Sequence, residues 1–115
     1  MSAECIFCKI ARGEIKSDLF YRDDTIMVLR DISPQAPSHL LAMPVEHIPS
    51  VREISDSNAA LIGRMVVKAN QVAAREGLAG KGYRLTINCG AEGGQSVDHL
   101  HMHILGGRQL SGKLG

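Results

Sequence analysis

Three histidines stand at alternate positions near the end of the chain, at His99, His101 and His103. A β-strand sends alternate side chains to the same face, so a strand here would present three imidazoles together, with Leu100 and Met102 on the other face. Near neutral pH an imidazole can act as a nucleophile, as a general acid or base, or as a metal ligand. The spacing predicts either a metal site or a nucleophilic histidine with helper histidines, and three purely structural histidines are the weaker alternative.

A glycine-rich loop over residues 91–96 leads directly into this run. Gly93 and Gly94 have no side chain, so backbone N–H groups there can approach an anion closely. The hydroxyl of Ser96 can donate a hydrogen bond to a departing atom. Alone, such a loop is more typical of an ordinary turn. Beside the histidines it indicates a phosphate-binding loop.

The apolar pattern predicts an α+β fold with an antiparallel sheet of about five strands, one long helix and one short helix. Alternation of apolar and polar residues, and short apolar runs bounded by turn residues, indicate the strands. The short helix is expected over 6–11, and the strands over 19–22, 25–30, 39–44, 83–89 and 99–105.

The long helix lies between the third strand and the fourth. Ser55, Asp56 or Ser57 can cap its start, and it is expected to run to about Glu76 and to be stopped by Gly77. Apolar residues three and four positions apart predict one buried stripe, formed by Leu61, Met65, Ala69 and Val72.

Composition predicts a single soluble domain over residues 1–115, with 44% hydrophobic and 22% charged residues. The net charge of +1 is spread along the chain and does not indicate nucleic acid as a partner. No apolar run reaches the roughly 20 residues that span a membrane. The first four residues show no secretory signal, and the three cysteines favour a reducing compartment, so a cytoplasmic location is expected.

The chain resembles a known family. The run 99–105 has the signature His-φ-His-φ-His-φ-φ of the histidine triad superfamily of nucleotide hydrolases and transferases, where φ is apolar. Segments 31–39, 94–97 and 106–110 resemble its Hint branch, which comprises purine nucleoside phosphoramidases that cleave P–N bonds in adenosine 5′-phosphoramidates. His103 favours this branch, because the dinucleoside-polyphosphate hydrolase and nucleotidyltransferase branches have Gln there.

The resemblance implies a role for each matching residue. His101 would be the nucleophile that forms a nucleotidyl-histidine intermediate, with His103 and His39 flanking the phosphate. Asp31 would accept both ribose hydroxyls, although the residues alone favour an Asp that caps the loop beside Pro34. The resemblance also implies three sets of nucleotide contacts: the phosphate and leaving-group contacts Asn88 and Ser96, the loop residues Gly94 and Gln95, and the apolar base slot Phe7, Ile15, Leu29 and Ile32.

Cys5-x-x-Cys8 is a modest zinc signal, and tetrahedral zinc needs two further ligands. His47 and His99 are the candidates. Related triad proteins that keep the cysteine pair bind zinc with equivalent histidines, which implies one structural zinc holding the short helix to the sheet. The alternative is an empty, reduced thiol pair. Cys89 has no partner at motif spacing and is expected to pack in its strand, and no catalytic cofactor is expected.

Two departures from the family pattern concern the end of the chain. Asp98 stands where the family usually has an aromatic or apolar residue, and the tail 111–115 lacks the aromatic residue of some members. In the family this tail reaches the active site of the partner subunit and tunes specificity.

The sequence leaves alternatives for the oligomeric state and for the function. Leu61–Ala73 has more apolar positions than one stripe needs, and the strand over 83–89 has an edge to cover, which with the resemblance predicts a homodimer rather than a monomer. A metal-dependent hydrolase that binds zinc through the three triad histidines, and a nucleotide-binding sensor or scaffold without turnover, are the rival functions.

Overall fold

The computed structural model describes residues 5–115, so the expectation about a signal in the first four residues lies outside the described part of the chain. Five strands and two α-helices confirm the predicted α+β class. In chain order the elements are α1 (Ile6–Ala11), β1 (Leu19–Arg22), β2 (Ile26–Arg30), β3 (Ser38–Pro44), a 3-10 turn (Val51–Glu53), α2 (Ala59–Arg75), β4 (Tyr83–Ile87) and β5 (Met102–Gly106).

The strands form one antiparallel sheet in the order β1-β2-β3-β5-β4. β3 and β5 lie side by side although α2 and β4 separate them in the chain. Their register sets His39 opposite Leu105 and Leu41 opposite His103, and on the other side of β5 Thr86 of β4 also faces His103. The centre of the sheet therefore gathers histidines from two distant segments on one face.

The two faces of the sheet pack on different helices, because successive strand residues point to opposite sides. On one face, buried residues such as Val28, Leu40 and Ile104 pack against the apolar stripe of α2. In that stripe Met65, Ala69, Val72 and Ala73 are buried, and Leu61 is partly buried against the core. On the other face α1 packs on a smaller apolar cluster that contains Phe7, Met27, Leu29, Leu41 and Met43.

The starts of β2 and β3 and the end of β5 differ from the sequence-based expectations by one residue, and three further boundaries differ for a local reason. The histidine strand begins at Met102 rather than His99, because the amide of Leu100 donates to the carbonyl of Ile48 instead of joining the sheet. The preceding strand, β4, ends at Ile87 and does not reach residue 89.

The start of α2 also differs. The helix begins at Ala59 and not after Ser55, Asp56 or Ser57. The side chain of Asn58 accepts a hydrogen bond from the amide of Ser55, and the amide of Asn58 donates to the carbonyl of Ser55. Residues 55–58 therefore close a turn of their own before the helix starts. Neither helix in the described residues is long and apolar enough to cross a membrane.

Candidate functional site

His101 presents one free nitrogen because its backbone surroundings fix the position of the ring proton. Its Nδ1 lies 2.7 Å from the carbonyl oxygen of His99. A carbonyl only accepts hydrogen bonds, so Nδ1 carries the proton and Nε2 keeps its lone pair. The ring is buried, and the edge of Phe7 packs against it with the centroids 5.3 Å apart. The arrangement orients the ring so that Nε2 is the nitrogen available for attack.

His39 and His103 form a hydrogen-bonded pair whose direction is also set by the backbone. The amide of Gln35 donates to Nδ1 of His39 at 3.0 Å, so the proton of His39 is on Nε2. That Nε2 lies 2.9 Å from Nδ1 of His103 and 3.4 Å from Oδ2 of Asp31. His103 therefore accepts through Nδ1 and carries its own proton on Nε2. The pair ends in an N–H donor on the ring next to His101, whose centroid is 5.2 Å away.

The electrostatics keep this pair neutral. Burial lowers the pKa of His39, and the carboxylate of Asp31 opposes the shift. Burial, and after it the neighbouring His101 and His39, lower the pKa of His103 to about 4. At neutral pH both rings are uncharged, which is the state that the hydrogen-bond pattern requires.

A cleft of about 360 Å³ opens over these rings, within the size range of small-molecule sites. His101, His103, Asp31 and Ser96 line it, together with all four residues of the predicted base slot, Phe7, Ile15, Leu29 and Ile32. The side chain of Ile32 is 91% exposed at the rim. Ile6 and Ile15 are exposed as well and line the same cleft, and a contiguous group of exposed apolar side chains is typical of a ligand-binding groove.

Other cleft residues were missed by the sequence analysis. Ile10 lies one helical turn after Phe7, and Leu41 shares a strand face with His39, so both could have been found from helix and strand periodicity. Ile6 and Val97 line the cleft as well.

Four predicted residues do not line the cleft in the described chain. His39 lies behind His103 and reaches the cleft only through it. The amide of Asn88 donates to the carbonyl of Gly93 at 2.7 Å. The side chain of Gln95 accepts from the amide of Gly90 and donates to the carbonyls of Pro49 and Val97.

Gly94 adopts a φ of +81°, which favours glycine. In this conformation Asn88, Gly94 and Gln95 shape the glycine-rich loop, and Ser96 is its exposed end at the cleft.

Cys5, Cys8, His47 and His99 lie close enough together to hold a metal ion. Nδ1 of His99 is 3.3 Å from Sγ of Cys5 and 3.7 Å from Sγ of Cys8, and Nδ1 of His47 is 3.3 Å from Sγ of Cys8. A zinc tetrahedron with Zn–S near 2.3 Å and Zn–N near 2.05 Å has S···N edges of roughly 3.5 Å. These distances match such edges, so the cluster has the size of a tetrahedral site.

The protonation of the cluster is also suited to a metal. Nε2 of His99 lies 2.8 Å from the carbonyl of Pro44, so it carries the proton and Nδ1 offers a lone pair towards the thiols. Burial and the neighbouring Cys5 raise the pKa of Cys8, and a bound cation would reverse that effect. Two sulfurs and two imidazoles are a donor set that zinc prefers.

A second group, Asp31, His39 and His103, is compact enough to be a metal site by distance alone. Its two nitrogens are 2.9 Å apart, which is a hydrogen-bond length, whereas two nitrogens on one tetrahedral zinc lie roughly 3.3 Å apart. Among the described residues, His99, His101 and His103 do not together form a group that could hold a metal ion. The geometry favours a hydrogen-bonded histidine pair beside the His101 ring over a metal held by these groups.

Comparison with known proteins agrees with this geometry. Residues 4–114 match the family model described as "Scavenger mRNA decapping enzyme C-term binding". A purine nucleoside phosphoramidase of Escherichia coli is 50% identical over 110 residues, which cover 96% of this chain and 92% of the relative.

Solved structures also resemble the chain. A HIT family hydrolase from Legionella pneumophila has a TM-score of 0.94 at 44% identity, covering 97% of this chain and all of that one. A histidine triad protein from Clostridium difficile has a TM-score of 0.94 at 40% identity, covering 99% of both chains. With its histidine run, its five-stranded sheet and these relatives, the chain belongs to the histidine triad family, in its Hint-like branch.

Proposed function

We propose that this histidine triad hydrolase cleaves the P–N bond of purine nucleoside 5′-phosphoramidates, releasing a nucleoside monophosphate and an amine. The observation that carries the proposal is the His101 ring, whose Nδ1 is held by the carbonyl of His99, which leaves Nε2 available, and which lines a nucleotide-sized cleft. The phosphoramidase from Escherichia coli, half identical over nearly the whole chain, supports the substrate class.

The proposed reaction is a double displacement. In the first step Nε2 of His101 forms a bond to the α-phosphorus and the bond to the amine nitrogen breaks. The departing nitrogen takes a proton from solvent water, relayed through the hydroxyl of Ser96 or the His103 ring, so that neither group is left charged. In the second step water attacks the phosphorus, the bond to His101 breaks, and a proton of that water returns to the solvent. The sum is hydrolysis, with both histidines returned to their starting states.

Charge stabilisation in this scheme comes from one hydrogen-bond acceptor and one donor that are already in place. The nucleotidyl-His101 intermediate keeps its Nδ1–H bonded to the carbonyl of His99, which stabilises the positive ring. The Nε2–H of His103 supplies a donor towards the phosphate oxygens. Because burial keeps His103 neutral, it donates this bond without repelling the cationic ring that forms on His101.

Nucleotide recognition follows from the rest of the cleft. The purine would lie in the apolar slot between α1, β2 and Ile32, where burial of its faces is favourable. Asp31 already accepts the amide of Ser33 through Oδ1 at 2.8 Å, and its remaining lone pairs can accept the ribose hydroxyls. His39 would act from behind by holding His103, and the loop shaped by Asn88, Gly94 and Gln95 would place Ser96 at the leaving group.

The test is a steady-state assay of the purified protein with adenosine 5′-phosphoramidate and its guanosine counterpart, with AMP or GMP as the measured product. Activity is expected to persist after treatment with EDTA, since no metal takes part in the chemical steps. Loss of turnover by protein that stays folded after chelation would favour a catalytic metal. Binding of AMP without hydrolysis of any phosphoramidate would instead support the nucleotide sensor.

We also propose that the four-residue cluster binds one structural zinc ion. All four tetrahedral positions are taken by protein ligands, so no position is open for a substrate. Bound there, zinc would tie Cys5, the N-cap of α1, and Cys8 of α1 to the segment after β3 and the segment before β5. The three thiols of the described residues are free, which supports the proposal of a reducing compartment such as the cytoplasm.

A homodimer is the proposed assembly. β4 lies at the edge of the sheet, and Val67 on the outer side of α2 is 56% exposed. A Cβ placed on Gly63 of the same helix would meet nothing within 4 Å, which leaves room for a second helix to approach. Pairing about a two-fold axis would cover both features.

A further inference from the structure

Arg108 is joined to the histidine pair through a single residue. It lies just after β5, and its Nη2 donates to the carbonyl of Gln35 at 3.0 Å. The amide of the same Gln35 donates to Nδ1 of His39, also at 3.0 Å. The guanidinium therefore holds the residue whose N–H determines where the proton of His39 lies.

Packing places the backbone of residues 106–108 directly against the loop that contains Gln35. A Cβ added to Gly107 would lie 2.9 Å from Cβ of Pro37 and 3.4 Å from the amide of Ser38, and the φ of Gly107 is +97°. Gly106 pairs with Ser38 in the sheet. The close approach, which glycine permits, brings Arg108 within reach of the loop.

The rest of the loop is weakly attached. Ile32, Ser33, Pro34 and Gln35 are exposed, and the side-chain bonds of Asp31 and Gln35 to Ser33 run within the loop itself. The bond from Arg108 comes from outside the loop and involves a charged donor, which makes it stronger than a neutral hydrogen bond.

The tautomer of His39 determines whether Nε2 of His103 presents an N–H or a lone pair. With the proton of His39 on Nε2, His103 accepts at Nδ1 and offers an N–H from Nε2. With the proton on Nδ1 instead, His103 would have to donate from its own Nδ1, and its Nε2 would present a lone pair. A lone pair repels a phosphate oxygen, whereas an N–H binds it.

We infer that Arg108 is a positioning residue that, through Gln35, holds His39 in its Nε2–H tautomer and so makes His103 a hydrogen-bond donor to the substrate phosphate. The inference rests on the proposed function for its consequence, but the tautomer itself can be measured without substrate. Asp31, 3.4 Å from Nε2 of His39, favours the same tautomer, so loss of Arg108 should weaken the preference and not invert it.

The experiment compares Arg108→Met with Gln109→Ala. Arg108 is exposed, so its replacement by methionine leaves the core intact. Gln109 is the matched control because it is the next residue and its side chain donates to the carbonyl of Leu110 alone. For Arg108→Met we expect kcat with adenosine 5′-phosphoramidate to fall about tenfold with KM within about twofold, the usual range for residues that orient a catalytic side chain. Gln109→Ala should keep the wild-type kcat.

Nitrogen-15 NMR of the histidine rings supplies the readout that a general structural effect would not move. In wild type, Nδ1 of His39 should resonate as a bare acceptor nitrogen and Nε2 as an N–H nitrogen, and in Arg108→Met the two shifts should move towards each other. Unchanged His39 shifts in that variant, or an unchanged kcat in an active enzyme, overturn the inference. A wild type without phosphoramidase activity would overturn the proposed function, while the NMR comparison would still decide what Arg108 does.

Discussion

At the residue scale, the site works through the placement of single protons. Two carbonyls and one amide of the backbone, those of His99, Pro44 and Gln35, decide which nitrogen is bare on His101, His99 and His39. His101 lines the cleft, and the bare nitrogen of His99 lies beside the thiol pair. The roles proposed for these two histidines, nucleophile and metal ligand, therefore depend on the hydrogen bond made by the other ring nitrogen.

Replacement of the proposed nucleophile gives the first prediction. In His101→Ala the nitrogen proposed to attack phosphorus is absent, so turnover of adenosine 5′-phosphoramidate should fall at least about a thousandfold. AMP should still bind, because the base slot and Asp31 are unchanged. Steady-state rates and calorimetric titration with AMP measure the two quantities. Near-normal turnover in this variant would rule out the covalent mechanism.

The low pKa of His103 gives a prediction about stability. In the unfolded chain this imidazole takes up a proton near pH 6.5, whereas the folded protein resists protonation down to about pH 4. The unfolded state then binds more protons within this window, so the free energy of unfolding should fall as the pH is lowered from about 6.5 to about 4. His39, whose pKa is also lowered by burial, contributes in the same direction.

The measurement is urea unfolding at several pH values and constant ionic strength, for wild type and His103→Gln. Glutamine does not titrate, so the variant should lose part of the slope. Comparison of two proteins that share the cysteine–histidine cluster cancels any effect of metal release at low pH. Equal slopes in the two proteins would contradict the assignment to His103.

At the element scale, α1 is too short to hold its own place, since helices of this length are unstable in isolation. It is held to the sheet by the apolar contacts of Phe7 and by the cluster of Cys5 and Cys8 with His47 and His99. Because Phe7, Ile6 and Ile10 of the same helix line the cleft, the attachment of α1 also determines the shape of the base slot.

Removal of one thiol tests this attachment. Wild type should contain about one zinc per chain, the number expected of a single four-ligand site, and Cys8→Ser should lose the metal and melt at lower temperature. Some phosphoramidase activity should remain. Cys89→Ser is the control, because Cys89 is a free thiol outside the cluster, and it should keep the zinc. Elemental analysis measures the zinc content, and thermal melts measure the change in stability. Wild-type protein that is purified without chelator and contains no metal would contradict the proposed site.

Most elements could be predicted from periodicity, and the exceptions have a local cause. α1 was predicted with its observed bounds, and β1 likewise, because apolar spacing and turn residues coincide there. The strand around the histidines begins late because the amide of Leu100 pairs with a loop, and no local pattern encodes a partner as distant as Ile48. For the same reason the bond between Gln35 and His39 and the position of His39 behind His103 could not be read from residue types.

At the scale of the whole molecule, residues 5–115 leave β4 at an edge of the sheet and the side chain of Val67 exposed to water. The apolar excess on α2 is smaller than the sequence suggests, because Leu61 and Val66 pack against the core. Val67 is the clearest exposed apolar position that remains on this helix.

Sedimentation tests the proposed dimer. Wild type at micromolar concentration should have twice the 12.4 kDa mass of one chain. Val67→Glu should shift the equilibrium towards one chain, since a carboxylate buried between two helices costs free energy unless it is paired. A wild-type species with the mass of one chain would show that the helix face and the sheet edge stay uncovered in solution.

The two contacts of His99 predict that zinc binding and AMP binding are coupled. Its ring lies beside the thiol pair while its peptide carbonyl accepts a hydrogen bond from Nδ1 of His101, so one residue belongs to both sites. If zinc fixes this peptide, AMP should bind more tightly to loaded protein than to metal-free protein. Linkage then requires AMP to raise the affinity for zinc by the same factor. The ratio of the AMP affinities with and without zinc must equal the ratio of the zinc affinities with and without AMP. If both ratios are one, the two sites share a residue but are not energetically coupled.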